Sequence, residues 1–244
     1  MRLPAAAAGR RGRARAPGRR RGRAPVRPLS DLDLDLVEQR LEVGPWELSL
    51  LRPRQADALI DEEAFEHEEF LPYWAELWAS GLALAEEVAG RDVSGLRVLE
   101  LGCGLGLPSL AAALVGADVL ATDWSADAVA LLRANAAAAG VRLAARRFSW
   151  TAPGSSLGPP WPLVLAADVL YERRNGAQLL AALPVLVAPD GAAWIADPGR
   201  ASAAPFWAAA AADWVVEVVA ADVPVGRSVV TVRRLVRRAA GRRG

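Results

Sequence analysis

From residue 96 to residue 236 the chain alternates between two hydrophobic periods. Short, nearly continuous apolar runs at 96–101, 118–122, 163–167 and 192–196 have the length and composition of strands buried on both faces. A further run at 143–150 reads as a strand between the second and fourth of these. Between them lie Ala- and Leu-rich segments of helical length at 107–114, 125–139, 175–186 and 203–212. Gly116 and Gly140 stop the first two helices, and Ser125 caps the second. Strands alternating with such helices predict an α/β, doubly wound, mostly parallel sheet covered on both faces. Two last strands, 214–221 and 228–236, are separated only by the turn at 222–227. Parallel neighbours cannot be joined so briefly, so the expected seven-stranded sheet ends in a C-terminal antiparallel hairpin.

Upstream of residue 96 the pattern is less regular. Residues 31–70 are acidic and mixed, with a strand expected at 46–51 and a short helix near 55–60. An acid run at 61–69 reads as a solvated loop or helix face, and His67 inside it as an exposed side chain rather than a catalyst. Residues 72–78 form an aromatic-rich loop, and Ser80 is the expected cap of a helix over 81–89 that Gly90 ends.

Charge changes this picture mainly at the ends. Residues 1–29 carry ten arginines and no acid; without them 19 arginines face 28 acids, a balance near −9. The Arg, Ala, Gly and Pro of this segment cannot bury enough surface to offset chain entropy, so it reads as a disordered tail. An acidic body suits a cationic ligand or a basic protein surface better than a nucleic-acid backbone. One Cys and one His exclude an internal disulfide and a Cys/His zinc site, so no metal is expected. No signal peptide or membrane span is legible, and a cytoplasmic protein is expected.

The candidate chemistry follows the first strand of the regular region, in Glu100-Leu101-Gly102-Cys103-Gly104-Leu105-Gly106. Glycines at Gly102, Gly104 and Gly106 let backbone approach a ligand closely. In a dinucleotide fingerprint the third glycine would fall at Leu107, and a pyrophosphate is an unfavourable neighbour for Glu100. A cation is a favourable one. Asp123, ending the next strand, is placed to accept hydrogen bonds from ribose hydroxyls. A ribose and a cation without a pyrophosphate describe S-adenosyl-L-methionine (SAM). Cys103 reads as a small residue tolerated in the turn, since Glu100 opposes a thiolate.

The segment from Glu100 to Gly106, with Asp123, resembles the first two motifs of the seven-strand SAM-dependent methyltransferases. The resemblance implies that Glu100 lies near the amino-acid end of SAM, that the glycine loop passes beneath it, and that Asp123 holds the ribose. Asp168-Val169-Leu170-Tyr171 is similar to the Asp-x-x-Tyr signature of the protein-lysine methyltransferase group, and lacks the prolines of adenine- and glutamine-directed relatives. The segment from Pro72 to Gly81 resembles the one that leads into the first helix and helps cover SAM, and so implies a role for Trp78. Asp197-Pro198-Gly199-Arg200 resembles the methyltransferases acting on lysines of the electron-transfer-flavoprotein β-subunit. Trp124 and Trp150 complete the expected cofactor set, although Ser149 replaces the acid that often precedes this tryptophan, and Ala79 stands where Pro is common.

This resemblance implies one methyltransferase domain over 30–239, with 30–80 as a cap and substrate segment, the basic tail 240–244 and the Arg-rich tail 1–29 lying outside it. It implies a SAM-dependent N-methyltransferase acting on a lysine-bearing protein, with Asp168 and Tyr171 as catalytic residues. Asp168 would attract and orient the lysine cation and accept its proton; Tyr171 would offer a hydroxyl and a ring face. The competing readings are a methyltransferase for a small amine or heterocycle, a catalytically silent SAM-fold protein that binds RNA through its tail, and a nicotinamide-nucleotide oxidoreductase.

Overall fold

The computed structural model describes residues 34–56, 72–150 and 152–238. Both tails, the acid run with His67 and all but the start of the helix expected near 55–60 lie outside the described residues. A two-stranded antiparallel hairpin, β1 (Leu36–Val43) and β2 (Trp46–Pro53), comes first. Helix α1 (Ala79–Ala89) leads into the alternating part: β3 (Arg97–Leu101), α2 (Leu107–Val115), β4 (Asp118–Asp123), α3 (Ala126–Ala138) and β5 (Ala144–Arg147). There follow β6 (Trp161–Ala167), α4 (Arg173–Leu186), β7 (Val187–Asp197), α5 (Ala204–Asp213), β8 (Trp214–Val225) and β9 (Ser228–Arg237).

Seven strands form one sheet in the order β5-β4-β3-β6-β7-β9-β8. The first five run parallel, and β9 is antiparallel to both β7 and β8. The expected fold class is therefore the observed one. Alternate residues of the central strands feed two cores, as period-2 geometry requires. Val98, Leu163, Leu165 and Trp194 pack with α1, α2 and α3 on one face; Leu99, Leu101, Val164 and Ile195 pack with α4 and α5 on the other. No helix among the described residues is long and apolar enough to cross a membrane.

Several boundaries differ from expectation, each for a local reason. The β1 strand was not legible, because beyond Leu36 its apolar positions serve only one face and its other face carries Glu38, Arg40 and Glu42. The hairpin is fastened to α3 by Asn135, whose side chain accepts from Leu51 N at 2.8 Å and donates to Leu51 O at 3.0 Å. Ser80 does not cap α1: the helix begins two residues earlier than expected, behind Trp78, and the Ser80 hydroxyl turns inward to Asp168. The last hairpin is longer than expected, since β8 continues to Val225 through an irregularity around Asp222, a non-glycine residue at φ +50°. The strand expected at 143–150 shrinks to β5, and the one at 192–196 extends at both ends into β7.

Candidate active site

The sheet order reverses at β3, which lies between β4 and β6, and ligands of open α/β sheets bind beyond the strand ends at such a point. Glu100, Asp123, Asp168 and Asp197 stand at or next to the carboxyl ends of β3, β4, β6 and β7. A cavity of about 620 Å³ opens there. Its lining contains Glu100, Gly102, Gly104, Gly106, Asp123, Trp124, Trp150, Trp78, Asp168 and Tyr171, so the structure brings together the ten residues expected to hold the cofactor or act in catalysis.

The glycine loop is shaped from below. Gly104 and Gly106 adopt φ +49° and +79°, conformations that other residues rarely take. A Cβ on Gly106 would fall 2.2 Å from Leu132 Cδ1, and one on Gly104 would lie 3.1 Å from Trp74 O. Loop and aromatic segment therefore touch backbone to backbone. Asp123 fixes the loop from the neighbouring strand: its Oδ2 accepts from Gly104 N at 2.9 Å and its Oδ1 from Ser125 N at 2.8 Å. A carboxylate has about four lone-pair sites. With a third backbone bond from Trp124, at least one site is left for a hydroxyl of a ligand.

Glu100 is only 1% exposed and accepts from both the backbone N–H and the hydroxyl of Ser109. Burial pushes its carboxyl up to about 8 against the pull of Ser109, with a smaller push from the Asp123 charge. Without a cation beside it, this acid is therefore largely protonated at neutral pH. The folded-state value lies above the ordinary 4.5, so this group's stabilising contribution is complete below that pH. It disappears as pH rises through about 8. Glu100→Gln should flatten the loss of stability of the ligand-free protein between pH 6 and pH 9, a difference on the order of a few kcal/mol by chemical denaturation. Equal pH slopes for both proteins would contradict the burial argument. Burial likewise pushes the Cys103 thiol up, with Asp123 and Glu100 adding to it, in keeping with an unreactive turn residue.

The other end of the cavity belongs to Asp168. It is 6% exposed and sits at φ +54°, an uncommon backbone state outside glycine that clusters at functional sites. Its Oδ1 accepts from Arg200 Nε at 2.5 Å, and its Oδ2 faces Ser80 Oγ at 3.4 Å. The Arg200 guanidinium lies 5.5 Å from the centre of the Trp78 ring, and the Trp78 indole donates to Tyr73 O at 2.7 Å. Tyr73 and Tyr171 meet with ring centres 5.2 Å apart. Burial raises the Tyr171 hydroxyl, which also shares a hydrogen bond with Asn175. Asp168, expected to attract an acceptor's cation, already holds one from the chain itself.

Sequence reasoning missed Arg200 as a site residue, and also Ser109, Arg147 and Asn175. Arg200 was visible only as the last letter of a motif. Arg147, whose Nε donates to Trp124 O at 2.6 Å, had no distinguishing pattern at all. With Arg147, Arg174 and Arg200 in the lining, the crevice is mixed in charge rather than uniformly acidic.

A protein family described as lysine methyltransferase matches residues 72–205, more than half of the chain. The chain belongs to this lysine methyltransferase family. It is 33% identical over 132 residues to EEF1A lysine methyltransferase 3 of Mus musculus, covering 52% of this chain and 56% of that protein. It is 34% identical over 137 residues to the electron transfer flavoprotein beta subunit lysine methyltransferase of Xenopus laevis, covering 53% and 54%. The chain thus spans about half the length of the curated relatives it matches. A TehB-like SAM-dependent methyltransferase from Corynebacterium glutamicum has the same fold, with TM-score 0.53 and 18% identity over 72% of this chain and 97% of that one. That neighbour is described as SAM-dependent, which makes SAM the group to test against this cavity. The residues present fit it: two buried acids, a glycine floor that admits no side chain, and aromatic walls.

Proposed function

We propose that this chain is a SAM-dependent protein-lysine N-methyltransferase, with the β-subunit of an electron-transfer flavoprotein as the first acceptor to test. The observation that carries this reading is the cation site at Asp168, a buried carboxylate beside the Trp78 ring that already binds a guanidinium. A lysine ammonium has the same charge and the same preference for a carboxylate and aromatic faces.

In this reading Glu100, Gly102, Gly104, Gly106, Asp123, Trp124, Trp150 and Trp78 hold SAM, which supplies an electrophilic methyl on a sulfonium. Asp168 orients the amine and takes its proton, because only the free lone pair can attack. Tyr171 and Tyr73 wall the acceptor side and exclude water, and the low polarity there favours the neutral amine. The acceptor assignment draws on Asp197-Pro198-Gly199-Arg200 and on the flavoprotein-directed relative.

The test is incubation with radiolabelled SAM, first with purified electron-transfer flavoprotein and then with a host lysate, followed by mass spectrometry. Label on lysines of the β-subunit is the expected result. Label only on another protein would redirect the acceptor assignment. Label only in small amines would overturn the protein-lysine reading.

A further inference from the structure

We propose that Arg200 is a built-in plug of the acceptor site, which an incoming amine must displace and which thereby selects against free small amines. This inference rests on the lysine reading given above and adds a specificity residue to it. Three features point to it. The Arg200 Nε donates to Asp168 Oδ1 at 2.5 Å, so the group that would receive an acceptor cation is occupied by one from the chain itself. The guanidinium also lies over the Trp78 ring, filling the aromatic side of the same position. Finally, the pair is lopsided in exposure: the Asp168 side chain is 4% exposed and that of Arg200 is 31% exposed. Asp168 is fixed inside, whereas Arg200 has solvent on one side into which it can rotate.

The backbone around Arg200 is held still while this happens. Asp197 Oδ1 accepts from Gly199 N at 2.8 Å and from Arg200 N at 3.1 Å. The displacement is therefore a side-chain rotation, not a loop opening. Its consequence is a threshold. An amine arriving alone must replace a charge-assisted hydrogen bond with an equivalent one and gains little. A lysine presented by a docked protein brings binding energy from the rest of the interface, and part of it is used to drive the arginine out. Such a device discriminates by penalising the unwanted ligand rather than by adding contacts to the right one.

The experiment uses n-butylammonium, a lysine side-chain mimic, titrated into the full chain and followed by the indole N–H resonance of Trp78, assigned with W78F. R200M is expected to bind it at least about tenfold tighter than the wild-type protein, since a charge-assisted competitor has been removed. R200K keeps a cation and is expected to stay close to wild type, which a purely steric role for the arginine would not produce. In the wild-type protein, saturating n-butylammonium should move the Arg200 Nε–H resonance away from its paired position. R200Q, uncharged but polar, serves if R200M does not fold. Equal affinity in wild type and the uncharged variants, no binding to either of them, or an R200K as open as R200M would each overturn the plug. Should no protein lysine be labelled while R200M still takes up n-butylammonium, the lysine reading fails and with it the selection for protein lysines, and what stands is only that Arg200 bars cations from Asp168.

Discussion

Asp168→Asn is expected to lower methyl transfer to an acceptor protein by a factor on the order of 10²–10⁴, the usual contribution of a positioned acid or base. SAM affinity should stay near that of the wild-type protein, because the acids and glycines proposed here to hold the cofactor lie at the ends of β3 and β4. Asparagine is the informative replacement. Asp168 holds φ +54°, and asparagine is among the few side chains that tolerate this backbone state. The variant therefore keeps the turn after β6 and the size of the side chain but loses the negative charge. Two consequences follow. The amine is no longer drawn to the end of the cavity, and its proton loses the acceptor proposed for it. Initial rates of label transfer from SAM, with calorimetric SAM binding on the same samples, separate these effects from misfolding. A fully active Asn variant would sink the catalytic assignment.

Much of this site was legible from residue types alone, and the reason is geometric. Parallel strands buried on both faces must be continuously apolar, so β3, β4, β6 and the core of β7 stood out, and the loops at their carboxyl ends could be lined up in one crevice. Gly104 and Gly106 were legible because their backbone angles exclude other residues. What escaped depends on partners distant in sequence. Arg200 follows a glycine in a surface loop, and nothing local says that its guanidinium crosses to Asp168, 32 residues earlier. The protonation of Glu100 is set by burial, and burial is a property of the packed core rather than of a motif. Ser80 carries the sequence mark of a helix cap, yet its hydroxyl is taken by Asp168 and the helix starts behind Trp78. The β1 strand escaped because a hairpin resting on a helix needs apolar residues on one side only, and its acids looked like a loop.

Asp123→Ala is expected to weaken SAM binding by a factor on the order of 10²–10³, more than a single lost ribose hydrogen bond would produce, because backbone donors are also left without acceptors. The carboxylate bonds Gly104 N at 2.9 Å and Ser125 N at 2.8 Å, so it ties the glycine loop to the end of β4. Removing it releases the loop from beneath the cavity, and the variant should also unfold at lower temperature. Asp123→Asn separates the two roles. Its amide oxygen can satisfy one of the backbone N–H groups, while its NH₂ faces the other, so the loop is partly held while the ribose loses a charged acceptor. Calorimetry should therefore order the SAM affinities wild type, Asn, Ala. If the Ala variant bound SAM as the wild-type protein does, neither the clamp nor the ribose contact would be supported. If Asn and Ala were equally weak while only Ala lost thermal stability, the charged acceptor for the ribose would be the larger share.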